Sequence, residues 1–359
     1  MRLPILVALS LLPWLIRAEA VTNISRSVSA NGRTFAVTGV RVNLHDPSVH
    51  LRVGLAYDHV GRTEPLAEIA KRAGAVAAIN GSFFDAYTKD ALKNPDMSLI
   101  TDGRLVFKSD IGTLLGFDAD NTPHLGRFSE RLAGWVTHEG HRLEWFAYWI
   151  NRAPTATPCV TIFTRAWGDT VPALGGTAVV VEEGTVTRIS DGAVEIPRDG
   201  FVLHIRGEAR LLGYFHVDDS VTFTPSVTPD DPEDAGPAAF DHVREAVGAG
   251  PRVLVHGHPV FTPAREGFDD PKVLSLAGAR SAAGYTDDGV LFLITTHNAR
   301  VSDMGGILKA LGCTEGLNLD GGASSGLWLR GAYLTKPGRA LSNALLVIVK
   351  KENGSAPAK

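Results

Sequence analysis

Cysteine is almost absent from this chain. Cys159 and Cys313 are the two present in 359 residues, too few for a disulfide scaffold or a multi-cysteine zinc site. A basic excess is also missing: the formal net charge is −4 and the pI about 6.3. That excludes a nucleic-acid binder relying on bulk electrostatics. Beyond the first twenty residues no apolar run approaches the roughly 20 needed to span a bilayer. The low-hydrophobicity, high-charge signature of disorder is lacking as well, with 44% hydrophobic and 21% charged residues. What remains is a globular protein with material for one large core or two ordinary ones.

The N-terminus bears on compartment. A positive Met1-Arg2 precedes a nearly continuous apolar run from Leu3 to Ile16, and Ala18-Glu19-Ala20 supplies a small-x-small cleavage pattern. Residues 1–20 are expected to be a signal peptide. The mature protein is then secreted or periplasmic, without an integral membrane span.

Along the chain, Thr34 to Leu55 reads as two strands around Asp46-Pro47. A helix is expected over Thr63 to Ala73, capped by Thr63 and stopped by Gly74, with a strand to Ile79 behind it. The middle is β-rich, with a hairpin over 177–189 and strands at 201–205 and 221–224. Residues 225–237 have four prolines and four acidic residues and read as an exposed loop. A hairpin is expected over 279–296, then a helix capped by Ser302 and ended by Gly312, a strand to Leu319, and a last strand Asn343 to Val349. Two units echo each other: a helix ends at Gly74 or Gly312, and six residues later Asn80 or Asn318 closes a short strand. The echo can aim two polar strand ends at one site, or be chance.

Chemistry-bearing residues gather at those ends. Asn318-Leu319-Asp320-Gly321-Gly322-Ala323-Ser324-Ser325 puts Asn318 and Asp320 on one face, followed by glycine N–H donors and hydroxyls. Such a set suits a small polar or anionic ligand. Asn80-Gly81-Ser82-Phe83-Phe84-Asp85 repeats the plan with two aromatics and a carboxylate; a hydrophobic corner capped by Asp85 is an equal reading. Arg280, with Ser281 among small residues, can grip a phosphate bidentately or lie on a sheet edge. Arg300 and Arg339 have the same two readings. His256, His258 and His297 lack a third ligand at recognisable spacing, so no metal is expected. Cys159 and Cys313 can pair or remain buried thiols.

Taken together, AAINGSFFD (77–85), INR (150–152), FTRAWG (163–168), IPRDGFVLHIRG (196–207), VGAGPRVLVHG (247–257), ARSAAG (279–284), LGCTEGLNLDGGASS (311–325) and GRALSNALLV (338–347) resemble the phosphodiester glycosidase family. The resemblance runs in order from about Leu66 to Val349. It implies hydrolysis of a sugar–phosphate glycosidic bond, with no cofactor. Carried over by motif, Asp320 and Asp85 would be catalytic. Asn80, Gly81, Arg152, Arg280, Ser281, Asn318, Gly321, Gly322, Ser324 and Arg339 would bind substrate. Where the family has a strand ending in Asp-Gly-Arg, this chain has Thr296-His297-Asn298-Ala299-Arg300, a departure that bears on substrate preference.

The expectation is therefore a single α+β domain over residues 21–350, with extensive mixed β-sheet, a few packed helices and a disordered tail at 351–359. Its substrate would be a glycan or sugar phosphate. A non-catalytic glycan- or phosphate-binding envelope protein is the alternative, and two carboxylates flanking one sugar separate the readings.

Overall fold

Antiparallel pairing dominates from the first described segment onward. A computed structural model describes residues 19–230 and 242–350. Val21–Ala30, whose polar composition conceals a strand, folds back on Arg33–Asn43 through Asn31-Gly32. Both turn residues have positive φ (49° and 71°), the geometry of a tight hairpin turn for which Asn-Gly is suited. This hairpin begins a seven-stranded sheet continued by Val290–Ala299, Gly278–Tyr285, Glu315–Asn318, Arg252–Val255 and His258–Pro259.

A five-stranded sheet runs Ala332–Thr335, Leu327–Leu329, Ala77–Asn80, Asn343–Val349, Val49–Leu55. A second has Val243–Ala249 at its centre, and a nine-stranded sheet carries most of residues 128–223. One apolar cluster draws on the seven-stranded sheet and both five-stranded sheets, including Val40, Ile79, Leu115, Leu293, Leu317 and Leu345. A second fills the space beneath the nine-stranded sheet around the fully buried Trp145.

The fold is more β-rich than a balanced α+β protein, with 49% strand and 11% helix. Nor is the sheet mixed to any extent: of the paired strands, Trp149–Ile150 with Cys159–Phe163 is the parallel case. The expected hairpins at 177–189 and 279–296 and the last strand, Asn343–Val349, are present.

Three local expectations change. The first helix is Leu66–Arg72 behind Pro65, without a side-chain cap. Thr63 cannot cap it because Glu64 is held extended by reciprocal backbone hydrogen bonds with Leu341 (both 2.9 Å). The later helix is Val301–Ala310. Its first turn is closed by the Arg300 N–H donating to Asp303 Oδ2 (2.9 Å), while Ser302 lies inside it. Ser226–Pro229, expected in a loop, pairs with Phe128–His138. The acidic segment 231–241, residues 1–18 of the expected leader and the tail at 351–359 lie outside the described residues. Cys159 and Cys313 are buried free thiols, and burial pushes Cys313 up to about 12.

Candidate active site

The echo between the two helix–strand units is structural. After each helix the chain turns at a positive-φ glycine, Gly74 (66°) or Gly312 (97°), and enters a short buried strand. Each strand lies between two antiparallel neighbours. The Asn80 N–H donates to Gly326 O and the Asn318 N–H to Pro251 O, both at 3.2 Å. One residue later, Gly81 N–H donates to Asn343 O (3.2 Å) and Leu319 N–H to Ser281 O (2.9 Å). The equivalence places Asn80 opposite Ala344 and Asn318 opposite Ala282.

The two strand ends are also tied to each other. Asn80 Nδ2 donates to the Asp320 carbonyl at 2.6 Å, and Asp320 N–H donates to Gly81 O at 3.1 Å. Asn80 Oδ1 accepts from Ser281 Oγ (2.7 Å) and Gly326 N–H (3.0 Å). Asn80 thus fixes the backbone from which Asp320 projects. Gly81 is required here, since a Cβ would lie 2.1 Å from Asn343 Oδ1. Asn318 donates to Gly250 O at 2.7 Å, while its buried Oδ1 has no partner among the described residues.

Asp320 stands just past the second strand. Its Oδ1 accepts the Gly321 N–H at 2.8 Å, and the Ser324 hydroxyl, from the turn Gly322–Ser324, also bonds to the carboxylate. Gly322 takes φ 61°, which lets the turn close. Burial outweighs these hydrogen bonds and the nearby Arg339 and Arg280 cations, pushing Asp320 up to about 6.

A second carboxyl joins it. Phe84 bridges Pro95, Asp96 N–H donates to Phe83 O, and Asp85 N–H donates to Asn94 O (both 2.9 Å), so residues 83–96 double back. Burial, reinforced by the Asp85 and Asp320 charges, pushes Asp96 up to about 7. Asp85 is exposed at the rim. Arg152 faces Asp85 and Asp96, its guanidinium resting over Trp149 (4.4 Å) and Phe107 (4.8 Å).

The arginines differ in what they have free. Arg280 is 7% exposed. Its Nε donates to Ala299 O (3.2 Å) and its Nη2 to Lys272 O (2.7 Å) and Leu276 O (2.5 Å). Bidentate phosphate capture by an open fork is therefore not its geometry. Its remaining Nη1 lies where a Cβ on Gly321 would come within 2.8 Å, beside the Asp320 turn. Ala299, which holds Nε, belongs to the segment that departs from the family pattern; His297 and Asn298 are exposed. Arg339 is more open. Its Nη2 donates to Tyr87 Oη (2.7 Å) and it lies 4.6 Å over that ring, as does Lys272 Nζ. The Arg339 hydrogen bond and charge lower the Tyr87 phenol.

Asn80, Gly81, Ser281, Asp320, Gly321, Gly322, Ser324, Arg280 and Arg339 form one hydrogen-bonded and electrostatic neighbourhood. Asp85 and Arg152 join it through Asp96. Asn318 packs behind it with its amide turned to Gly250. Asp96, Tyr87 and Lys272 join the site without a place among the residues expected from sequence. Asp96 has a weak signal in Asn94-Pro95-Asp96, a turn sequence after Phe83-Phe84-Asp85; Tyr87 and Lys272 have none. The residues that bring three metal-ligating atoms within 4.8 Å, among those described, are His138, His216 and Asp219. They lie off this site, and His138 Nδ1 is already bonded to Asp219 (2.7 Å). His256, His258 and His297 form no such group.

Residues 164–348 match the model of the phosphodiester glycosidase family. That span contains Arg280, Ser281, Asn318, Asp320 and Arg339, and leaves out Asn80, Gly81, Asp85, Asp96 and Arg152. A hypothetical protein from Synechocystis is 26% identical with a TM-score of 0.77, the similarity covering 92% of this chain and 62% of that one. The chain thus spans less than two thirds of that protein. A Burkholderia pseudomallei K96243 protein described as exported is 19% identical, with a TM-score of 0.70 over 88% of this chain and 74% of its own. The catalytic domain of zebrafish N-acetylglucosamine-1-phosphodiester alpha-N-acetylglucosaminidase is 14% identical, with a TM-score of 0.49 over 93% and 85%. No curated protein matches. No helix among the described residues is long and apolar enough to cross a membrane.

Proposed function

The chain belongs to the phosphodiester glycosidase family, and from that premise we propose that it hydrolyses the bond between a sugar's anomeric carbon and a phosphodiester oxygen. The observation that carries this is the setting of Asp320. Its carboxylate is held by Gly321 N–H and Ser324, near two guanidinium groups, on a backbone clamped by Asn80.

Each demand of the reaction has a candidate. As the C1–O bond breaks, positive charge develops at the anomeric carbon and negative charge on the departing phosphate. Asp320, ionised above about pH 6, stabilises the first or removes a proton from the attacking water. Arg339 and Arg152 supply positive potential for the second, with Lys272 beside Tyr87 at the rim. Asp96 keeps its proton to about pH 7 and can donate it to the leaving oxygen, with exposed Asp85 as its neighbour. Hydroxide from water bonds to C1, the water's second proton passes to Asp320, and the phosphate leaves as a monoester. Arg280 serves as a positioning residue: it grips the carbonyls of Lys272, Leu276 and Ala299 while its Nη1 packs beside Gly321.

We place the mature protein outside the cytoplasm, on the signal-peptide pattern of residues 1–20; a neighbour of the same fold that is described as exported accords with this. Hydrolysis of a nucleotide sugar or chromogenic sugar-1-phosphodiester by the purified chain tests the reaction. Tight binding without turnover would favour the non-catalytic alternative.

A further inference from the structure

Two short stretches, His138-Glu139-Gly140-His141 and His216-Val217-Asp218-Asp219, meet on the nine-stranded sheet, outside the candidate active site. Register brings them together. Phe128–His138 lies between His141–Ala147 and Ser220–Phe223. His138 pairs with His141, and Thr137 with Ser220, so Asp219, one residue before Ser220, falls beside His138. Residues directly opposite across a sheet share a face. Here it is the core-facing one, since Val136 and Val221 in the next row are buried. Glu139 and Gly140 turn the hairpin with positive φ (46° and 81°), the two-residue geometry that keeps His138 and His141 opposed.

His216 arrives by a second tight turn. Asp219 N–H donates to His216 O (3.2 Å) and His216 N–H donates to Asp219 Oδ2 (2.7 Å). The His138 and His216 rings then stack, with centroids 3.9 Å apart and planes 23° from parallel. Both imidazoles aim Nδ1 at one carboxylate: His138 Nδ1 is 2.7 Å from Asp219 Oδ1, and His216 Nδ1 is 3.4 Å from Oδ2. Asp219 is 5% exposed, while the two histidines remain open enough to admit an ion.

A carboxylate that merely orients a histidine accounts for one imidazole, not for two stacked rings with converging Nδ1 atoms. A metal ion accounts for both. One ligating atom from each of the three residues lies within 4.8 Å of the other two. Ligands about 2.0–2.1 Å from a tetrahedral zinc stand about 3.3 Å apart, so small side-chain rotations close the set, and the ion takes the place of the proton between His138 and Asp219. His141 is exposed on the same face and can turn in as the fourth ligand. Imidazole nitrogens with one carboxylate suit zinc, whereas magnesium and calcium take oxygen ligands. We propose that His138, His141, His216 and Asp219 form a tetrahedral zinc site that ties the 138–141 hairpin to the 216–219 turn. With four protein ligands no position is left for water, so the role is structural.

Calorimetric titration of the full, untagged, chelator-stripped chain with zinc chloride tests it. One zinc should bind per chain, with a Kd of about 1 μM or tighter, and should raise Tm. His216→Ala and His141→Ala, which alter exposed side chains, should each weaken binding by about tenfold or more. Both should keep the wild-type Tm in the absence of zinc, which separates a lost ligand from a damaged fold. His256→Ala/His258→Ala should bind zinc as wild type does. No saturable zinc binding, wild-type affinity in either His216→Ala or His141→Ala, or binding lost in His256→Ala/His258→Ala overturns the site.

Discussion

Replacing Asp320 by Asn should make the protein more stable and nearly inactive, with a gain that depends on pH. The physical reason is the cost of ionising this carboxyl in the fold. Burial raises it from 3.8 to about 6, so the folded chain holds the proton more tightly than the unfolded chain does. Stability contributed by this group is then intact below pH 3.8, falls as pH rises, and levels off above about 6. The difference amounts to about 3 kcal/mol at most, an upper bound because the side chain is partly open to water. Asn carries no such penalty, and its Oδ1 can still accept the Gly321 N–H that Asp320 accepts at 2.8 Å. The variant should match wild type near pH 4 and exceed it by about 1–3 kcal/mol at pH 8, some 2–4 °C in Tm per kcal/mol. Turnover should fall by about 10²-fold or more, the scale of a general acid–base residue. Urea denaturation at both pH values and turnover on one preparation measure both. A variant about 1 kcal/mol less stable at pH 8 with near-normal turnover would refute the reasoning and make Asp320 a turn cap.

The pH dependence of kcat/KM should be bell-shaped, rising as Asp320 ionises near 6 and falling as Asp96 loses its proton near 7. Asp96→Asn should abolish the alkaline limb, and an unchanged limb in that variant would remove Asp96 from the scheme. Arg280→Lys should lower stability by about 2–4 kcal/mol in denaturant titrations and slow turnover at least about tenfold, since one ammonium cannot serve the three carbonyls of Ala299, Lys272 and Leu276; wild-type stability would show that those contacts are not made. Asn80→Ala should cost about 3 kcal/mol, because it strands the Asp320 carbonyl and the Gly326 N–H; a loss under about 1 kcal/mol would argue against the clamp.

How far these features were readable in the sequence depends on whether their causes are local. The paired helix–glycine–strand units could be read because each signal sits within a few residues: Gly74 and Gly312 at the turns, Asn80 and Asn318 at the strand ends. Their meeting, through Asn80 Nδ2 and the Asp320 carbonyl, joins positions 240 apart in the chain and rests on tertiary pairing. Val21–Ala30 carries little strand signal because its outward face is polar, although Asn31-Gly32 marks the turn. Asp96 reaches the site by the fold-back at Phe84 and Pro95, and no motif records it. Arg280 illustrates the opposite limit: an arginine among small residues suggested an open phosphate fork. Those small neighbours instead let the guanidinium sink onto the carbonyls of the 272–276 segment. Neither Thr63 nor Ser302 caps a helix. A chain held extended by Leu341 and a turn closed by Asp303 override the local preference.

The central claim is that water attacks the sugar and not the phosphorus. Hydrolysis of a sugar-1-phosphodiester in ¹⁸O-labelled water, with both products weighed by mass spectrometry, tests it directly. Label incorporated into the sugar hydroxyl, with an unlabelled phosphomonoester, is the predicted result. Label in the phosphate would make the chain a phosphodiesterase, and no turnover at all would leave Asp320 and Asp96 in a binding site; either result contradicts the account.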